Sequence, residues 1–131
     1  MTKEEKVEYW MDLSDYDMES ADAMFETKRY LYVGFMCHQA IEKIFKAYYS
    51  KLKEDAPPYI HKLVRIAELA GFYDEFSEAQ KKFIDTIEPL NIKARYPDYK
   101  ANLLKQLSPQ ICQTLIRETK ILQQWIKEKL S

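Results

Sequence analysis

Two histidines, His38 and His61, are the only imidazoles in the chain. An imidazole changes charge near neutral pH, so each is a candidate acid–base group or metal ligand. His38 stands four residues before Glu42, which puts both on one helical face beside an apolar stripe. They could act as a metal-ligand or acid–base pair, or form a hydrogen-bonded pair at the core boundary. His61 follows Pro57-Pro58 and could equally anchor that loop or cap the next helix. The segment Lys93 to Lys100 (KARYPDYK) is the most distinctive, with one proline, two tyrosines and three cations in eight residues. Guanidinium and ammonium groups suit phosphate, and phenol rings stack on bases. The same segment could simply end a helix, its tyrosines packed on neighbours and Arg95 paired with an acid.

Other chemistries are excluded. A di-iron carboxylate bundle needs Glu-x-x-His, yet Phe35 and Pro58 stand three residues before the two histidines. No HExxH occurs. Two glycines are too few for a P-loop or Rossmann phosphate cradle. Cys37 and Cys112 are too few for a disulfide framework or a structural zinc site, and both sit among apolar residues. They read as reduced core thiols of a cytoplasmic protein, and no cofactor or metal is called for. With 20 Lys plus Arg against 21 Asp plus Glu, the net charge of -1 excludes a strongly basic nucleic-acid coat but leaves room for a local basic patch. The charged start MTKEEKVEYW is unlike a signal peptide, and no apolar run approaches the roughly 18 residues of a membrane span.

The elements that must position these residues are helical. The 131 residues suit one domain, 1–131. Thr2 with Glu5 forms a capping box, after which Val7, Trp10, Met11, Ser14, Met18, Ala21 and Phe25 share a face, to an end near Lys28-Arg29. A second and most apolar helix is predicted from Tyr30 to Leu52, with Glu42 and Lys46 spaced for an ion pair. Pro57-Pro58 breaks the chain. A short third helix is predicted from Ile60 to Ala70, with Gly71 just past its end. Ser77 and Gln80 open a fourth, which Pro89 should kink and Pro97 should terminate. The stretch to Leu107 reads as a connection with one turn of helix, and Ser108-Pro109 opens the last helix. The predicted fold is all-α, an antiparallel up-and-down bundle of four long helices plus one short helix, without a sheet. Tyr30, Tyr32, Tyr48, Tyr49, Phe72, Tyr73 and Phe76 exceed what a bundle of this size comfortably buries, which predicts a homodimer.

Three motifs, in order, resemble the HEPN domain family, named for higher eukaryote and prokaryote nucleotide binding. Cys37 to Ala47 (CHQAIEKIFKA) is similar to its second-helix QAxEKxxKA pattern. His61-Lys62-Leu63 is similar to its His-Asp-Leu, and Ala94 to Asp98 (ARYPD) to its RYP segment. The resemblance covers nearly the whole chain. It implies a helical bundle that commonly dimerises, a bacterial or archaeal host, and a minimal nucleotidyltransferase encoded beside it as a toxin–antitoxin pair. It also implies a cleft in which Arg95 contacts phosphate, Tyr96 and Tyr99 stack or hydrogen-bond, Asp98 holds Arg95, and Lys43 joins from the second helix.

Many members of that family are metal-independent ribonucleases carrying an arginine, four to six residues, then a histidine. The arginines here are Arg29, Arg65, Arg95 and Arg117, and none is followed by histidine at that spacing. After Arg95 the relevant residues are Lys100, Ala101 and Asn102. The expectation is therefore a nucleotide- or RNA-binding module without the standard ribonuclease motif. The alternatives are a ribonuclease toxin pairing Arg95 with His38 or His61, or a non-catalytic protein-interaction dimer.

Overall fold

A computed structural model describes residues 1–91 and 97–131, the side chains of 97–100 excepted. Six α-helices, and no strand, occur among the described residues. Helix α1 spans Lys3–Glu26 and opens on the predicted capping box. The Thr2 hydroxyl accepts from Glu5 N at 3.1 Å, and the Glu5 carboxylate accepts from Thr2 N at 2.9 Å. It ends at Glu26, before Lys28-Arg29, because the chain reverses at Lys28, whose φ is 61°. Helix α2 spans Tyr30–Leu52 as predicted. Helix α3 spans Leu63–Ala70, starting three residues later than expected, and closes on Gly71 in the left-handed conformation at φ 85°. Only glycine adopts that φ without strain.

The fourth helix departs from expectation. Helix α4 spans Glu78–Ile87 behind the predicted Ser77–Gln80 capping box, and it stops there instead of running on with a kink. A 3-10 turn over Glu88–Leu90, with Pro89 inside it, takes its place. The expected connection to Leu107 holds helix α5, Pro97–Gln106. Pro97 reads as a stop signal, but proline also suits a first helical position, and buried Leu103 and Leu107 give this helix an apolar anchor. Helix α6 spans Pro109–Leu130, with the Ser108 hydroxyl accepting from Ile111 N. The fold is all-α, as predicted, with three long and three short α-helices among the described residues where four long and one short were expected.

Side-chain contacts give the direction of the long helices. Along α1, Lys3 meets Glu54, Trp10 meets Lys46 and Ser14 meets the Ala40 carbonyl, so α1 and α2 are antiparallel. Ser14 also accepts from Gln123, and Asp22 pairs with Lys120, which makes α1 and α6 antiparallel too. The α2 helix is the central element. Every residue from Ile44 to Ser50 is buried, together with Cys37, His38, Ala40, Ile41 and Glu42. At Gly34 a Cβ would lie 3.1 Å from Leu90 Cδ1, so this glycine lets the 3-10 turn come close to α2.

The aromatic residues correct the basis of the dimer expectation. Tyr48, Tyr49, Phe72 and Phe76 are buried within the chain itself. Tyr48 stacks on Phe72 with centroids 4.6 Å apart and donates to Glu75, and Tyr49 donates to Asp55. Phe76 packs against Phe45 and Trp125. Of the seven residues, Tyr32 is the exposed one. No helix among the described residues is long and apolar enough to cross a membrane.

Candidate functional site

His38 and Glu42 face the same side of α2, but each finds its partner elsewhere. His38 is fully buried, and its Nε2 lies 3.4 Å from Oε2 of Glu88 in the turn after α4. Glu42 is 4% exposed and meets two side chains, Lys46 and His61. Lys46, one turn on, donates at 3.1 Å, and Nδ1 of His61 lies 3.1 Å away from the loop before α3. The Lys46 ammonium also stands 5.5 Å from the Trp10 ring centroid. Pairing and hydrogen bonding are what make a buried carboxylate and ammonium tolerable in a helix core.

Glu88 ties three elements together. Its Oε2 accepts from Leu63 N at 3.1 Å and its Oε1 from Val64 N at 3.4 Å, the first free N–H groups of α3. Lys62, the residue before α3, offers no side-chain cap, so Glu88 supplies the acceptor from a distance. A carboxylate at a helix N-terminus is also favoured by the helix dipole. Burial works to raise the pKa of Glu88. The His38 hydrogen bond, the two backbone N–H groups and the nearby imidazole outweigh it and hold the carboxyl below its ordinary range.

His38, His61, Lys62, Arg65, Glu88 and Asn91 line one groove of about 540 Å³, with Ile60 and Pro89 as apolar walls. The two histidines singled out in the sequence therefore line one groove, although they lie 23 positions apart in the chain. His61 has a half-exposed side chain, and Tyr59, 92% exposed, stands edge-on to it at 5.7 Å. Asn91 accepts from Gln39 at 2.9 Å, which fixes that wall of the groove. The groove thus combines the His38–Glu88 pair and His61, itself held by Glu42 of the core, with two exposed cations, Lys62 and Arg65, at its lip. Such an arrangement can bind an anion, donate or accept protons, and present an aromatic ring beside the mouth.

The remaining predicted residues fall elsewhere. Lys43 donates to Asp17 on α1 at 2.6 Å and does not line the groove. Burial raises the Asp17 pKa, an effect larger than the lowering by Lys43. Arg95 and Tyr96 lie outside the described residues. Asp98 and Tyr99 fall in the first turn of α5, and their side chains lie outside the described ones. Glu88, Lys62, Arg65 and Asn91 were not foreseen. A third helix with no capping residue of its own was the one available signal that a remote acceptor had to exist.

Comparison with known proteins gives one match. No curated protein and no solved structure matches the chain. The model of the HEPN domain matches residues 7–130, which takes in α1 to α6 almost entirely and the whole groove, and the chain belongs to the HEPN domain family.

Proposed function

We propose that this HEPN domain, a single module over 1–131, binds a nucleotide or RNA in the groove between α2, α3 and the turn after α4. The observation that carries this reading is the convergence of His38, His61, Lys62 and Arg65 on one groove. Lys62 and Arg65 supply charge for phosphate, and Tyr59 supplies an exposed ring on which a base can stack. Arg95, Tyr96, Asp98 and Tyr99 enter as the family-type phosphate and stacking residues, carried by a segment that follows Asn91 in the chain. The module acts as a homodimer in the cytoplasm, as partner of a minimal nucleotidyltransferase in a toxin–antitoxin-type pair. The test is fluorescence anisotropy with a labelled single-stranded RNA. Saturable binding that weakens in Arg65→Ala and Arg95→Ala supports the reading, and no binding of RNA or mononucleotide at micromolar protein removes it.

A second reading has an observation of its own. Two imidazoles line one groove, and either one, paired with Arg95, supplies the proton transfer that a metal-independent ribonuclease uses at the 2′-hydroxyl and the leaving oxygen. Incubation with single-stranded RNA in EDTA decides it. Cleavage abolished in both His61→Ala and Arg95→Ala supports catalysis, and intact RNA leaves binding alone. If RNA is neither bound nor cut, the non-catalytic interaction dimer is the reading that stands.

A further inference from the structure

His38 carries an asymmetry that pairing alone does not explain. The ring is fully buried, yet it lines the groove. Nε2 faces Glu88 at 3.4 Å, whereas Nδ1 is buried with no hydrogen-bond partner among the described residues. Glu88 is committed on both oxygens to N–H donors of α3. An ionised carboxylate can only accept, so the proton between Glu88 and His38 belongs to Nε2. In the neutral ring that leaves Nδ1 as a bare lone pair, an acceptor facing no donor among the described residues. A buried polar atom without a partner is costly, and in native structures it is usually matched by water, an ion or a ligand.

We propose that Glu88 is a positioning residue of the groove, holding His38 as its Nε2–H tautomer so that Nδ1 accepts a hydrogen bond from a hydroxyl or N–H donor of the bound molecule. This rests on the groove being the binding site. The charged and titratable groups around it come from every wall. His61, Lys62 and Arg65 belong to the α3 side, Glu42 to α2, and Glu88 to the turn. Among these, Glu88 is the group in hydrogen-bond contact with the His38 ring. His61 is locked the opposite way round, Nδ1 towards Glu42, so its Nε2 is the nitrogen left for other partners. The two imidazoles are therefore oriented oppositely, His38 through Nε2 and His61 through Nδ1, each by a different carboxylate.

The experiment is nitrogen-15 NMR of the histidine rings of the full chain near pH 8, where an ordinary imidazole is neutral (about 6.5). The expected result for His38 is a pyrrole-like Nε2 carrying a slowly exchanging proton and a pyridine-like Nδ1. In Glu88→Leu the slowly exchanging N–H signal is lost. In Glu88→Asp, which keeps the carboxylate and so the α3 cap's chemistry, it returns at least in part. A merely structural role for Glu88 would change stability without moving the tautomer, and a Nδ1-protonated ring in the unaltered protein overturns the proposal outright. Titration with a single-stranded oligoribonucleotide then tests the acceptor. A displaced Nδ1 resonance supports it, and RNA binding that leaves Nδ1 unmoved overturns it. If RNA does not bind at all, the reading of the groove fails, and the tautomer measured in Glu88→Leu still decides the role of Glu88.

Discussion

The Glu42 carboxylate lies 3.1 Å from Nδ1 of His61, joining the middle of the most buried helix to the exposed loop that opens α3. The same carboxylate takes the Lys46 ammonium at 3.1 Å, with both side chains almost fully enclosed. The loop before α3 is thereby connected to the core helix through this acid. Removing Lys46 would strand that acid with only a half-exposed imidazole as partner. Lys46→Met, which keeps the packing against Trp10, is expected to cost about 3 kcal/mol, because a broken buried pair leaves an uncompensated charge. The double variant Glu42→Gln with Lys46→Met should recover most of the loss. Urea denaturation of the four proteins in the cycle measures both numbers.

Glu88 gives the fold a distinct acid limb. Its folded pKa is held below the ordinary value, burial being outweighed by His38 and by the N–H groups of Leu63 and Val64. A carboxyl depressed on folding contributes stability that is fully present above its unfolded pKa of about 4.3 and is lost as pH falls through the folded one. Glu88→Gln is therefore less stable than the unaltered protein at neutral pH. The gap narrows as pH drops below about 4.3. Parallel denaturation curves between neutral and acidic pH check this, and a gap independent of pH would contradict it.

The two thiols are expected to be inert. Burial pushes the Cys37 thiol up to about 12 and the Cys112 thiol up to about 11. A reactive cysteine needs thiolate at working pH and access to reagent, and neither condition holds. At pH 8 a chromogenic disulfide reagent should label both only as fast as the chain unfolds, and full labelling in mild urea should return the rate to that of a model thiol.

Gly71 ends α3 at φ 85°, with nothing within 4 Å of where a Cβ would sit. The cost of a side chain there is thus backbone strain alone. Gly71→Ala should lose about 1 kcal/mol, and Gly71→Asn less, because asparagine tolerates the left-handed region better. Thermal melts of the two variants give the comparison.

Local signals were the ones legible in the sequence. The capping pairs Thr2–Glu5 and Ser77–Gln80, the Ser108 cap, the span of α2 and the turn at Gly71 all lie within a few residues of their cause. Helix α5 was illegible because Pro97 reads equally as a terminator and as a first helical residue, and the burial of Leu103 and Leu107 that decides it is tertiary. The site shows the same division. His38 and His61 stood out as the only two imidazoles. Glu88 is one of 21 acids, and its partner His38 lies 50 positions away, so no periodicity singles it out. The His38–Glu42 spacing was sound helix geometry but gave the wrong pairing, since Glu88 from the turn after α4 takes His38, while Glu42 turns to Lys46 and His61.

The cations at the lip of the groove give the sharpest test of what it binds. Lys62 and Arg65 are exposed and line it on the α3 side, and neither is needed for the buried Glu42–Lys46 pair. If they contact phosphates of a single strand, each displaces bound counterions, and each contact contributes about 0.7 to the slope of log affinity against log salt. Replacing both with alanine should weaken RNA binding roughly tenfold at low salt and reduce the slope by about 1.4. Lys120→Ala, which removes a cation paired with Asp22 on the α1–α6 face, should change neither quantity. An unchanged slope in the Lys62/Arg65 double variant would move the nucleic acid off this groove, whatever its affinity, because a ligand seated between His38 and His61 cannot avoid the charge at its rim.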